Sequence, residues 1–217
     1  MRRTVLRAIV SGLALGLALA ACASPKEREL LRYYDPEHLF SARLPAANTI
    51  SVLPPQQVEE GPSLLSGVIS QPSLPSPSPP SRFGGIGEGL GQPPTPPDRT
   101  VYEALAVSTE TFDDLQDMAL FFVTGDPSMD VREQRDVRID GLPGLLVVAD
   151  SVQGGEARAG VAVAMTLGRE GTGYVLAAIF PPGQWEAEEP DFLRVLSSFR
   201  VETPPLLRTY PLADEPA

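Results

Sequence analysis

Cysteine, histidine, tryptophan and lysine each occur once in these 217 residues, and aromatic residues make up only 6% of the chain. One cysteine excludes a disulfide framework within a single chain. One cysteine with one histidine excludes an ordinary structural zinc site. Basic residues are scarce as well: 17 against 28 acidic ones, for a net charge of −11. Nucleic-acid phosphates need clustered lysine and arginine, so no nucleic-acid partner is expected. No Gly-x-Ser-x-Gly elbow occurs, and any Ser–His–Asp or Cys–His catalysis would have to run through the lone His38. His38 reads as a surface or capping residue. Asp35, Glu37 and His38 lie too close together in sequence to define a closed metal site by themselves. No catalytic, cofactor-binding or metal-binding residue is assigned, and no cofactor is expected.

What is present begins with the N-terminus. Residues 1–7 hold Arg2, Arg3 and Arg7 and no acid, and residues 8–21 are Ala, Leu, Ile, Val and Gly broken only by Ser11. A basic start followed by a short apolar run and small residues is a secretory signal peptide. As a helix, those fourteen residues span roughly 21 Å, short of a hydrocarbon core of about 30 Å. Leu19-Ala20-Ala21-Cys22 matches the lipobox of bacterial lipoproteins, and Cys22 is the only thiol. A lipoprotein cysteine of this kind carries a diacylglyceryl group and often a further acyl chain such as palmitate on its nitrogen. Two or more chains anchor stably where one binds marginally. The expected localisation is therefore exported and lipid-anchored in a bacterial cell membrane or outer membrane, with the membrane itself as a partner through lipid on Cys22. Ala23 and Ser24 bear on sorting only where a second membrane exists.

Removing residues 1–21 deletes three arginines and no acid, which takes the net charge from −11 to −14. So acidic a body is expected to stand off anionic lipid on a tether rather than lie on it.

Twelve of the 24 prolines fall in residues 54–98, with seven glycines and seven serines. Such a segment is expected to be disordered, because it offers little apolar area against its ordering entropy. Four more prolines follow residue 202. The expected organisation is a lipoprotein signal peptide at 1–21, a tether at 22–32, a discontinuous domain at 33–53 and 99–201, a disordered insertion at 54–98 and a flexible tail at 202–217.

Within the domain, residues 39–53 read as a strand pair broken at Pro45, and residues 101–109 as a strand. Thr111 reads as the N-cap of an amphipathic helix bearing Phe112, Leu115, Ala119 and Phe122, which ends before Gly125. A polar strand through Val131, Val137 and Ile139 leads into a meander at 145–152, 158–167 and 174–180, joined by Gly-rich turns. A last helix is expected to start near Pro190, with Phe192, Val195, Leu196 and Phe199 buried. The acidic groups at 113–117 and 186–191 read as helix N-terminal complements to the dipole. Trp185 reads as a loop residue plugging the core.

Tyr34-Asp35-Pro36 followed by Leu39-Phe40-Ser41-Ala42-Arg43-Leu44-Pro45 resembles the opening of PsbP/Mog1-like domains. Ile139-Asp140-Gly141-Leu142-Pro143-Gly144 resembles their turn before a central strand. Phe192-Leu193-Arg194-Val195-Leu196-Ser197-Ser198-Phe199-Arg200 is similar to their terminal helix. The resemblance covers about 124 residues. It implies an α+β fold, an antiparallel β-sheet flanked by helices in a PsbP/Mog1-like sandwich. That group includes exported bacterial lipoproteins and photosystem II accessory subunits. The expected function is a non-catalytic, lipid-anchored envelope protein that binds or assists another envelope protein. A carboxylate-dependent enzyme acting on an envelope polymer, or an accessory subunit of a photosynthetic complex, stands as the alternative.

Overall fold

The computed structural model of the protein describes residues 28–37, 39–57, 61–72, 99–168 and 171–202. The expected signal peptide, Cys22, His38, residues 73–98 and the tail from 203 lie outside the described residues. The strands are β1 (Leu30–Tyr34), β2 (Phe40–Pro45), β3 (Asn48–Leu53), β4 (Leu64–Pro72) and β5 (Val101–Ser108). They continue with β6 (Met129–Ile139), β7 (Leu142–Gln153), β8 (Glu156–Leu167), β9 (Thr172–Phe180) and β10 (Arg200–Val201). Seven of them form one sheet in the order β3-β4-β5-β9-β8-β7-β6, and a second sheet runs β1-β2-β10. Every paired strand is antiparallel.

Residue alternation builds two cores, one on each face of the large sheet. On one face, Tyr102, Ala104 and Ala106 of β5 and Ala162 and Ala164 of β8 meet Phe40, Phe192 and Phe199. Small residues on the sheet leave room there for aromatics brought by β2 and the last helix. On the other face, Leu105, Val107, Val161, Val163 and Val175 pack under a short helical segment. That segment is α1 (Leu115–Ala119) continued by one π-helical stretch, Leu120–Thr124. The last helix, α2 (Trp185–Ser198), covers the first face with the small sheet. The fold is α+β, an antiparallel sheet flanked by helices, and no described helix is long and apolar enough to cross a membrane.

Six expectations change. The expected disordered insertion at 54–98 contains β4, which pairs with both β3 and β5. Its serines and glycine are packing choices. Buried Ser66 donates its hydroxyl to Asp35, and buried Ser70 accepts from the Asn48 amide at 3.0 Å. A Cβ on Gly67 would lie 2.8 Å from Leu105. Leu53 and Leu105 close over the position. The expected pairing of residues 39–45 with 50–53 also gives way. β2 turns Phe40, Ala42 and Leu44 into the core of the small sheet, while β3 pairs with β4 in the large one. The tether expected at 22–32 ends sooner, since β1 begins at Leu30.

The first helix is capped by Asp114 rather than Thr111. Asp114 is extended, and its carboxylate accepts the N–H groups of Gln116 and Asp117 at 2.7 and 2.9 Å, which satisfies two otherwise orphaned donors. The last helix starts at Trp185, so Pro190 sits inside it and costs one backbone hydrogen bond. Side-chain contacts offset that loss: the Trp185 ring stacks on Phe180 and meets Phe192 edge-on, each at 5.8 Å. Trp185 is thus the first residue of the helix rather than a loop residue, and it does pack against the core.

Candidate functional site

The chain enters the described structure at Arg28, and this residue is tied at once to α2. Its guanidinium donates to both oxygens of Glu188, at 3.1 and 3.0 Å, and its Nε lies 3.1 Å from Asp191. Burial works against the Arg28 charge, yet the hydrogen bond and charge of Glu188, helped by Asp191, hold its pKa above the ordinary value. Beneath the pair, Tyr102 is buried in β5. Burial first, and the Glu188 carboxylate second, push its phenol above its usual range. On the far side of the helix Arg135 of β6 pairs with Glu189, which raises the Arg135 pKa. The acids expected to complement the dipole of α2 therefore also clamp the helix to β6 and to the chain entry.

Beyond Arg28 the outer face of the small sheet carries further arginines. β1 and β2 pair so that Arg32 stands directly opposite Arg43, and β10 places Arg200 opposite Ser41. With Arg28 and Arg194 these residues line a groove of about 480 Å³, whose wall also includes Glu29 and Ser198. Ser41 is buried between them: it accepts from Arg32 at 3.1 Å and donates to Glu202 at 2.7 Å. Arg194 pairs with Asp191 at 3.3 Å and Arg200 with Asp140 at 3.6 Å. Arg43 has no carboxylate partner among the described residues. Like charges directly opposite on neighbouring strands are unfavourable, so this face favours an anion. Five guanidiniums, with their planar, multiply donating geometry, suit phosphate or carboxylate oxygens.

A second hollow of about 730 Å³ adjoins the first through Arg28 and Glu29, and is lined further by Asn48, Arg99, Thr100 and Glu188. The Thr100 hydroxyl is buried there with no partner among the described residues.

Asp35 and Glu37, near the lone histidine in sequence, do not form a site together. Asp35 is buried and committed, accepting the Leu39 N–H at 3.1 Å and the Ser66 hydroxyl, while Glu37 is exposed. Among the described residues no three of His, Cys, Asp or Glu gather at metal-holding distance. The arginine groove was not anticipated. A net charge of −11 masks it, and its members come together only once β1, β2 and β10 are paired. The signal that could have found it is Arg32 and Arg43 at equal distances from the turn between two strands.

No protein-family model matches the chain, and no curated protein matches it. Solved structures do. Cyanobacterial PsbP (CyanoP) from Synechocystis is similar with a TM-score of 0.53 at 13% identity, over 83% of this chain and 96% of that one. LpqN, involved in cell envelope biogenesis of Mycobacterium tuberculosis, gives 0.43 at 13% identity over 82% and 93% of the two chains. The Ran-binding protein Mog1p of Saccharomyces cerevisiae gives 0.44 at 13% over 81% and 96%. The likeness to CyanoP establishes a PsbP-like fold, and at this identity it concerns architecture alone.

Proposed function

We propose that this PsbP-like chain is a non-catalytic lipoprotein of the bacterial envelope, held in the membrane by lipid on Cys22, which binds or assists another envelope protein. The carrying observation is the arginine-rich start, the short apolar run and Leu19-Ala20-Ala21-Cys22 with the chain's single thiol. The mature chain then begins six residues before Arg28, where the described domain starts.

A non-catalytic role is supported by what three of the four buried carboxylates among the described residues do. Asp35 closes the β1–β2 turn, Asp150 pairs with Arg132, and Glu188 holds Arg28. Each has a structural partner. A protein partner is supported by the π-helical stretch, which leaves Leu120 57% and Phe121 45% exposed. Large apolar side chains in water favour burial against another surface.

The test is a pulldown of tagged full-length protein from solubilised membranes. A stoichiometric envelope protein should come with it, and Leu120→Ser with Phe121→Ser should release that protein while leaving the anchor. No partner, together with turnover of an envelope polymer that one carboxylate substitution abolishes, would overturn this reading.

A further inference from the structure

We infer that the arginine groove is the face this protein turns to its own membrane, where it holds the phosphate headgroups of anionic phospholipids. The inference rests on the reading that Cys22 carries the lipid. Arg28 follows Cys22 by six residue steps. Fully extended they reach about 20 Å, so Arg28 cannot stand farther than that from the bilayer surface once Cys22 is lipidated. Arg28 is itself part of the groove wall.

Charge selects the same face. Five of the thirteen arginines that follow Cys22 line this one groove, on a chain that is otherwise strongly acidic. The expectation that the body stands off anionic lipid comes from total charge. At physiological ionic strength the Debye length is about 8 Å, so the charges nearest the lipid decide the interaction and the distant acids are screened. Arg28, Arg194 and Arg200 are partly neutralised by Glu188, Asp191 and Asp140, and Glu29 adds a negative group to the wall. Arg32 reaches the Glu202 carboxylate only through the Ser41 hydroxyl, and Arg43 has no carboxylate partner among the described residues. They stand opposite each other on β1 and β2, and a phosphate between them would relieve their repulsion. Tyr34, 62% exposed on the same outer face of β1, lies under the Arg32 guanidinium at 5.9 Å. Its ring is an amphipathic group suited to the headgroup level.

The probe is phenylglyoxal, which modifies accessible arginines, applied to the natively lipidated full chain in vesicles and read by peptide mass spectrometry. Vesicles of phosphatidylcholine alone are compared with vesicles rich in phosphatidylglycerol, and Arg138 of β6, which does not line the groove, is the internal control. Arg32 and Arg43 should react about fivefold more slowly or less in the anionic vesicles, with Arg138 unchanged. Molar salt, which shortens the screening length to about 3 Å, should abolish the difference. Equal reactivity of Arg32 and Arg43 in both vesicles overturns the inference. So does equal protection by soluble glycerol phosphate, which would make the groove a small-anion site. Protection that appears only when an envelope extract is added would assign the groove to an acidic protein instead. The intact mass of the same sample separates the two readings: without a lipid adduct on Cys22 the anchor itself has failed, whereas an adduct with unprotected arginines condemns the groove alone.

Discussion

Arg28 and Glu188 meet through two nearly equal hydrogen bonds, 3.1 and 3.0 Å long, across 160 residues of sequence. The fork-to-fork geometry fixes Arg28, two residues before β1, against the last helix, α2. The Glu188 side chain is 10% exposed and that of Arg28 45%, so loss of the cation leaves a largely desolvated carboxylate alone. Arg28→Ala should therefore destabilise the protein by about 1–3 kcal/mol, toward the lower end because solvent screens the arginine side of the pair. Glu188→Gln keeps one hydrogen bond and should cost less. Denaturant titration decides it, and no change with Arg28→Ala would show that the chain entry is not held there.

Gly160 of β8 stands directly opposite Phe180 of β9, and a Cβ at Gly160 would lie only 2.1 Å from the ring. The ring has nowhere to go, since Phe180 is buried and stacked on Trp185. Gly160→Ala should cost about 1–3 kcal/mol through overpacking. Equal thermal midpoints of the variant and the wild type would mean that this part of the core repacks freely.

β4 and β5 are antiparallel neighbours, with Ser70 opposite Tyr102, so Pro72 and Arg99 emerge side by side. A turn of a few residues can join them, and the loop-closure entropy changes by only about 0.6 kcal/mol per doubling of length. Replacing residues 73–98 by a short Gly/Ser turn should leave cooperative unfolding intact. Extending the deletion back to residue 64 removes a strand from the sheet interior and should abolish it. A loss of cooperativity with the shorter deletion would show that residues 73–98 belong to the core.

Where residues follow one pattern over many positions, the sequence is legible. Alternating β-branched and small residues gave the meander of β7, β8 and β9, and the buried positions Phe122, Phe192, Val195, Leu196 and Phe199 were all readable. β4 was not, because Ser66, Gly67 and Ser70 take part in close packing and hydrogen bonds that only the folded neighbours reveal. Without β4, the nearest strand along the chain that β3 can pair with is β2, whereas its partner in the fold is β4. Pro190 misplaced the start of α2, because a local rule for proline yields to the packing of Trp185 and the ion pairs of Glu188 and Glu189. The arginine groove was illegible for a different reason. It is a property of strand register: Arg32 and Arg43 become neighbours only once the turn between β1 and β2 is placed, and Arg200 joins them only through the pairing of β10 with β2.

Tyr33 supplies a pH dependence. Its hydroxyl is buried, and burial first, then the Asp35 carboxylate, push its pKa up from 10.0 to about 12. A phenol whose folded pKa lies above its unfolded one gives stability that is complete below pH 10 and lost as pH rises toward 12. Tyr102, raised in the same direction, adds to the decline. The denaturation midpoint should therefore fall through this window, and Tyr33→Phe should make the fall shallower. A parallel fall in both proteins would place the Tyr33 hydroxyl in water.

The lipid on Cys22 is most directly tested by the intact mass of the protein purified from membranes of a bacterial host. Lipidation there gives a chain that has lost residues 1–21 and gained a diacylglyceryl adduct at its new N-terminus. Cys22→Ser should then yield only unprocessed precursor or protein in the soluble fraction. A mature chain with an unmodified Cys22, recovered wholly in the soluble fraction, would contradict it.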